Sequence, residues 1–135
     1  MAVGRGGAAL GHWGVSYEFT NKGDICALEG YPILLGLNGK GQWEPVVVRE
    51  SRDTYIPPPP PLSGPLARGD TATITLQGTE QSNYPNSECP TAPKQPPTYQ
   101  ALRFILPADP TPLEIDGDFY GGCDLTVSPF GAKAQ

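Results

Sequence analysis

The stretch Cys26 to Lys40, reading Cys-Ala-Leu-Glu-Gly-Tyr-Pro-Ile-Leu-Leu-Gly-Leu-Asn-Gly-Lys, constrains the fold of this chain more than any other. Leu28, Ile33, Leu35 and Leu37 make it the densest apolar run in the sequence. Pro32 has no N–H to give to a ladder, so it belongs at a strand start or an edge. Asn38-Gly39 signals a two-residue turn of type I′, whose twist matches that of the strands it joins. The stretch therefore predicts an antiparallel hairpin, with Leu37 and Lys40 flanking the turn and Gln42 to Arg49 supplying the partner through Trp43, Val46, Val47 and Val48. Gly36 and Gly41 weaken the strand ends, which keeps a loop of four or five residues open as the alternative, and Pro45 places the partner at an edge or a bulge.

The rest of the chain repeats the strand signal. From His12 to Asn21, Trp13, Val15, Tyr17 and Phe19 alternate with Gly14, Ser16, Glu18 and Thr20, the period of a half-buried strand. Asn21-Lys22-Gly23-Asp24 reverses the chain. In the cleanest strand, Ala72, Ile74 and Leu76 alternate with Thr71, Thr73 and Thr75. Tyr99 to Leu106 is a core strand, Leu113 to Ile115 a short extra one, and Cys123 to Val127 the last. The chain has 17 glycines and 17 prolines, but they fall between the alternating runs and punctuate strands instead of dissolving the fold. About seven strands and no helix predict an all-β Greek-key sandwich. At 135 residues one domain suffices, with boundaries at 11–128, a disordered or added segment at 1–10 and a tail at 129–135.

Charge and cysteines bound the function. A net charge of -5 without any basic stripe argues against nucleic acid and anionic membrane surfaces as partners. No apolar run approaches the ~20 residues of a membrane span, and Met1 to Gly7 lacks the apolar centre of a signal peptide, which suits a chain with its leader removed as well as a cytosolic start. The three cysteines lack the C-x-x-C spacing of a zinc or redox site, so one disulfide plus one thiol, in an oxidising compartment, is the expectation.

Little in the sequence carries chemistry. His12 is the one histidine, and the common hydrolase, phosphate-loop, dinucleotide and zinc-protease signatures are missing, so no catalytic residue and no cofactor is expected. Asp109, Glu114, Asp116, Asp118 and Asp124 form an acidic stretch whose spacing misses that of an EF-type calcium loop. A solvated turn is the first reading of the group, with a loose calcium site or a hydrolase using residues 116–124 as alternatives. Trp13, Tyr31, Trp43, Tyr55, Tyr84 and Tyr120 would make a platform for sugars or peptides only if several met at one end. Pro57 to Pro61 favours polyproline II, either as a stiff crossing between sheets or as a docking segment for a protein partner. Arg68-Gly69-Asp70 reads as a turn ahead of a strand. Gly78 to Thr98 is long and polar, a loop that needs a pin, and Cys89 is the pin it offers.

Several of these residues together resemble a domain-of-unknown-function family found mainly in actinobacterial lipoproteins and other exported proteins. A strand ending in Thr20-Asn21 with Gly23 leads to Cys26-x-Leu28-x-Gly30-Tyr31-Pro32, then Leu66-x-x-Gly69-x-x-Ala72 opens a strand, and Cys89 and Cys123 come late. The resemblance implies an immunoglobulin-like sandwich, exported and often lipid-anchored, without an assigned activity. Members of that family commonly carry a further N-terminal strand with another cysteine, and no such segment precedes Ala8, which would leave an exposed edge and an orphan thiol. A disulfide closing about 35 residues is worth roughly 3–4 kcal/mol in the chain-entropy model, and longer closures involving Cys26 gain slightly more, so magnitude does not choose the pairing. The absent N-terminal cysteine, as the natural partner of Cys26, leaves Cys89 to bridge Cys123 with Cys26 free. The expected function is a non-catalytic, extracytoplasmic binding or structural module of the cell envelope, its ligand or partner unknown.

Overall fold

A computed structural model describes residues 2–9, 13–53, 57–79, 88–90, 94–95, 97–107, 109–120 and 123–132. These form ten strands: β1 (Ala2–Ala9), β2 (Trp13–Thr20), β3 (Ile33–Leu37), β4 (Trp43–Pro45), β5 (Arg49–Glu50), β6 (Thr71–Thr79), β7 (Thr98–Leu106), β8 (Asp109–Tyr120), β9 (Cys123–Val127) and β10 (Gly131–Ala132). There is no helix among the described residues. One sheet runs β1-β2-β6-β9-β5 with β10 also on β6, and the other runs β4-β3-β7-β8. Taken in chain order, the first eight strands divide between the sheets as those of an immunoglobulin-like sandwich do. The departure is β9, which inserts between β6 and β5 and pairs with β5 in parallel.

The alternating segments fold as their period requires. Tyr17 and Phe19 on β2, Ile74 and Leu76 on β6 and Phe104 on β7 are all fully buried between the sheets. Phe104 joins the layers: its ring lies 4.9 Å from that of Tyr17 and 5.3 Å, edge-on, from that of Phe19. Tilted and edge-to-face pairs of this kind add about 0.5–1.5 kcal/mol to the area they bury.

The strand list differs from the sequence expectation at four places. Residues 1–10, expected to lie outside the domain, supply β1, which pairs antiparallel along β2 from Ala2↔Thr20 to Ala9↔Gly14. Its glycine-rich sequence has no alternation to announce it, yet it covers what would otherwise be the open edge of β2. Residues 129–135, expected as a tail, contribute β10 at Gly131–Ala132. The short strand expected at Leu113 to Ile115 is part of a twelve-residue β8.

The fourth difference is the hairpin. Its strands are adjacent and antiparallel, with Leu37↔Trp43 and Leu35↔Pro45, but residues 38–42 separate them instead of a two-residue turn. The Asn38 side chain is the reason. Its Oδ1 accepts from the backbone N–H groups of Lys40 (2.9 Å) and Gln42 (3.0 Å), and Gly41 N–H donates to the Asn38 carbonyl at 3.1 Å. Gly41 then takes the left-handed conformation at φ 76°. This is a type I turn followed by a glycine bulge, the three-residue-loop class of hairpin, and a local Asn side-chain bond selects it.

Asn21 fastens the other end of the sandwich. It is buried, its Nδ2 donates to the carbonyls of Asp24 (2.8 Å) and Leu66 (2.9 Å), and its Oδ1 accepts from Gly23 N–H (3.0 Å). Its backbone pairs with the next turn, accepting from Gly69 N–H at 2.7 Å and donating to the Asp70 carbonyl at 2.9 Å. Arg68-Gly69-Asp70 is therefore a structural turn, closed by Asp70 N–H on the Ala67 carbonyl (3.0 Å) and by Asp70 Oδ2 accepting from Ala67 N–H (2.9 Å).

Candidate functional site

The structure puts four of the five acidic residues of the sequence group on one strand and the fifth on another sheet. Glu114 and Asp116 lie on β8 in one sheet, and Asp124 lies on β9 in the other, all three exposed. Asp109 and Asp118 are on β8 as well. Glu114 is engaged with Arg103, whose Nε donates to Oε1 at 2.9 Å. Among the described residues no group of three or more His, Cys, Asp or Glu side chains is placed to hold a metal ion. His12, Tyr55 and Tyr84 lie outside the described residues; Trp13 is on β2 and Tyr120 on β8. Tyr31 packs against the core, and one face of Trp43 is taken by Arg103, whose guanidinium sits 3.9 Å from the ring centre.

The disulfide joins Cys89 to Cys123, and Cys26 is a half-buried free thiol. Cys26 is held from its backbone, N–H to the Leu66 carbonyl at 3.0 Å and carbonyl from Leu66 N–H at 2.7 Å. The bridged sulfurs are in the buried interior, so the pin on the long loop is anchored at the start of β9.

One surface stands out, the outer face of the β4-β3-β7-β8 sheet. Leu34 and Gly36 of β3 point inward, so Ile33, Leu35 and Leu37 point out. Cross-strand register puts Ile105 of β7 beside Ile33 and Arg103 beside Leu35, while Trp43 of β4 flanks Leu37 and Pro45 flanks Leu35. Val46 N–H donates to the Leu34 carbonyl at 3.0 Å, which carries the same register one step past β4, to the residue before Val47. Ile33 and Val47 are 59% and 61% exposed, both large apolar side chains. The Arg103–Glu114 pair closes one margin of this apolar patch.

Comparison with known proteins bears on the fold. The sequence profile of a domain of unknown function, DUF4232, matches residues 1–131. The chain belongs to the DUF4232 family. None of the curated proteins and none of the solved structures matches it. The DUF4232 span takes in β1 and reaches Gly131, so the family domain and the sandwich coincide along the chain.

Sequence reasoning about this DUF4232 domain missed the face, because it named Leu28, Ile33, Leu35 and Leu37 as an apolar run without assigning each to a side of its strand. A signal was present. Ile33-Leu34-Leu35, Val46-Val47-Val48 and Phe104-Ile105 are consecutive apolar residues, and consecutive positions on a strand point to opposite faces. Half of each run must leave the core. Among the described residues the face shows no nucleophile paired with a base, and the Arg103–Glu114 ion pair is at its rim. The chemistry that it offers is apolar contact.

Proposed function

We propose that this DUF4232 domain is a non-catalytic binding or structural module, exported to the cell envelope, that meets its partner through the outer face of the β4-β3-β7-β8 sheet. The observation that carries the reading is the exposure of the large apolar side chains of Ile33 and Val47, with Ile33 in register with Ile105. An apolar cluster of this kind on a soluble surface marks an interaction site more often than chance. The Cys89–Cys123 disulfide supports an oxidising compartment. Among the described residues no helix is long and apolar enough to cross a membrane.

The test separates contact from packing. Residues kept for binding can be changed without unfolding the domain, so Ile33→Lys with Val47→Lys is expected to shift the free energy of unfolding by no more than about 0.5 kcal/mol per site. A loss of about 2 kcal/mol or more would mean that the pair is structural and the surface reading fails. The non-catalytic half is tested on a panel of ester, glycoside and peptide substrates. Turnover that disappears in Asp116→Asn or Asp124→Asn would make the domain a hydrolase.

A further inference from the structure

The C-terminal segment from Ser128 to Ala132 is held in a way that its own strand pairing does not require. β9 and β10 run along the same side of β6, Leu76↔Val127 and then Thr73↔Gly131, with a break of three residues between them. Pro129 is the break, since it has no N–H for the ladder. Ser128 spans it: its N–H donates to the Thr75 carbonyl at 2.9 Å and its Oγ accepts from Thr75 N–H at 2.8 Å. Past the break the chain enters a slot with three walls. Phe130 turns into the core, edge-on to Phe19 at 5.7 Å, and its N–H donates to the Gly30 carbonyl at 3.0 Å. Gly131 pairs with Thr73 on one side and bridges Pro61 on the other. Ala132 N–H donates to the Pro60 carbonyl at 2.7 Å.

The proline run is therefore a wall of this slot, and its chemistry restricts what can fill it. Prolines have carbonyls and no N–H, so the run accepts hydrogen bonds and never donates them. A side chain at position 131 has no room: a Cβ there would lie 2.6 Å from Pro59 Cβ, 2.6 Å from the Pro60 carbonyl oxygen and 2.9 Å from that of Pro59. Thr73, across from Gly131, is 6% exposed, and its hydroxyl has no hydrogen-bond partner among the described residues, as expected where carbon-rich prolines cover the sheet. The occupant must supply an aromatic ring, then a glycine, then a residue with a free N–H.

We propose that β6, Gly30 and Pro59–Pro61 form a binding site for an extended aromatic-glycine peptide, and that the chain's own residues 128–132 fill it in cis. Pro59, Pro60 and Pro61 of the proline run are the part that receives this segment. The mode is pairing of a strand with the stretch of β6 that β9 leaves unpaired, with one side-chain pocket for recognition.

The test uses the full chain with Phe130→Asp, which places a charge where the ring is buried and expels the segment from the slot. The Ala132 amide is expected to lose its protection from hydrogen exchange while the amides of Ile74 and Leu76 keep theirs. A capped peptide Ser-Pro-Phe-Gly-Ala, titrated to millimolar concentration and followed by amide shifts at Thr73 and Phe19, is expected to bind the vacated slot. The same peptide with valine for glycine is expected to bind at least roughly tenfold more weakly, the size of a typical overpacking cost. If the Phe130→Asp chain does not fold, Gly131→Val vacates the slot by steric exclusion, and the same two peptides are used. Equal binding of both peptides overturns the proposal, as does binding of neither. Failure of both variants to fold also overturns it, since a segment that cannot leave is core and not an occupant.

Discussion

The ring of Tyr99 lies directly over Gly36, so that a β-carbon on Gly36 would sit 2.4 Å from it. Tyr99 is buried and stacks on Phe119, with ring centres 6.4 Å apart, so it has nowhere to retreat. Gly36→Ala is expected to cost about 1–3 kcal/mol in a urea unfolding titration, the range for overpacking a well-filled interior. Gly39 has open space around it and no positive φ, so Gly39→Ala is the control and is expected to stay within about 0.5 kcal/mol.

Tyr99 also makes the domain sensitive to alkali. Burial, and after it the Glu44 carboxylate, push its pKa above the ordinary value of 10.0. The unfolded chain therefore releases this proton at lower pH than the folded one. The stability tied to the neutral phenol is complete below the unfolded value near 10 and is lost as pH rises through the folded value. The wild-type free energy of unfolding should fall more steeply above about pH 10 than that of Tyr99→Phe. Parallel curves for the two chains would remove Tyr99 as the cause.

The cysteines should behave as two classes. One equivalent of a thiol reagent is expected to modify Cys26 in the folded, unreduced chain, and Cys89 and Cys123 are expected to be protected as their disulfide. Cys89→Ser with Cys123→Ser opens a loop of sequence separation 34 and is expected to lower stability by about 3–4 kcal/mol. Cys26→Ser is the comparison and is expected to cost about 1 kcal/mol or less. A mapped peptide linking Cys26 to either of the other two would contradict the arrangement.

Asn21→Asp should be worse than Asn21→Ala. Alanine removes the donors to the Asp24 and Leu66 carbonyls and the acceptor for Gly23. Removing that set is expected to cost about 1–3 kcal/mol, with Leu66 still receiving Cys26 N–H. Aspartate keeps the acceptor but turns a carboxylate oxygen toward two carbonyls, which adds repulsion and buried charge. Thermal melts of the two variants at neutral pH decide the order, and equal melting temperatures would show that the buried carboxylate adds no penalty to the loss of the amide.

Local patterns in the sequence were enough for the β class and for the strands with clean alternation, because period-two burial is a property of a strand and its two faces. Trp13–Thr20 and Thr71–Thr79 are legible for that reason. The turn at Asn21 is legible too, since it rests on what one residue type does to its own neighbourhood. What needed the tertiary structure is whatever depends on pairing between distant segments. Asn38 announces a turn, but the closure by Gln42 and the left-handed Gly41 decide its length. The run Ile33-Leu34-Leu35 has no period, so only the register with Ile105 and Arg103 shows which side chains leave the core. Asp124 is near Asp116 and Asp118 in sequence, but β8 and β9 belong to different sheets, which only strand order reveals. The five prolines exclude helix and inner strand by themselves, whereas Gly131, seventy residues on, determines what they face.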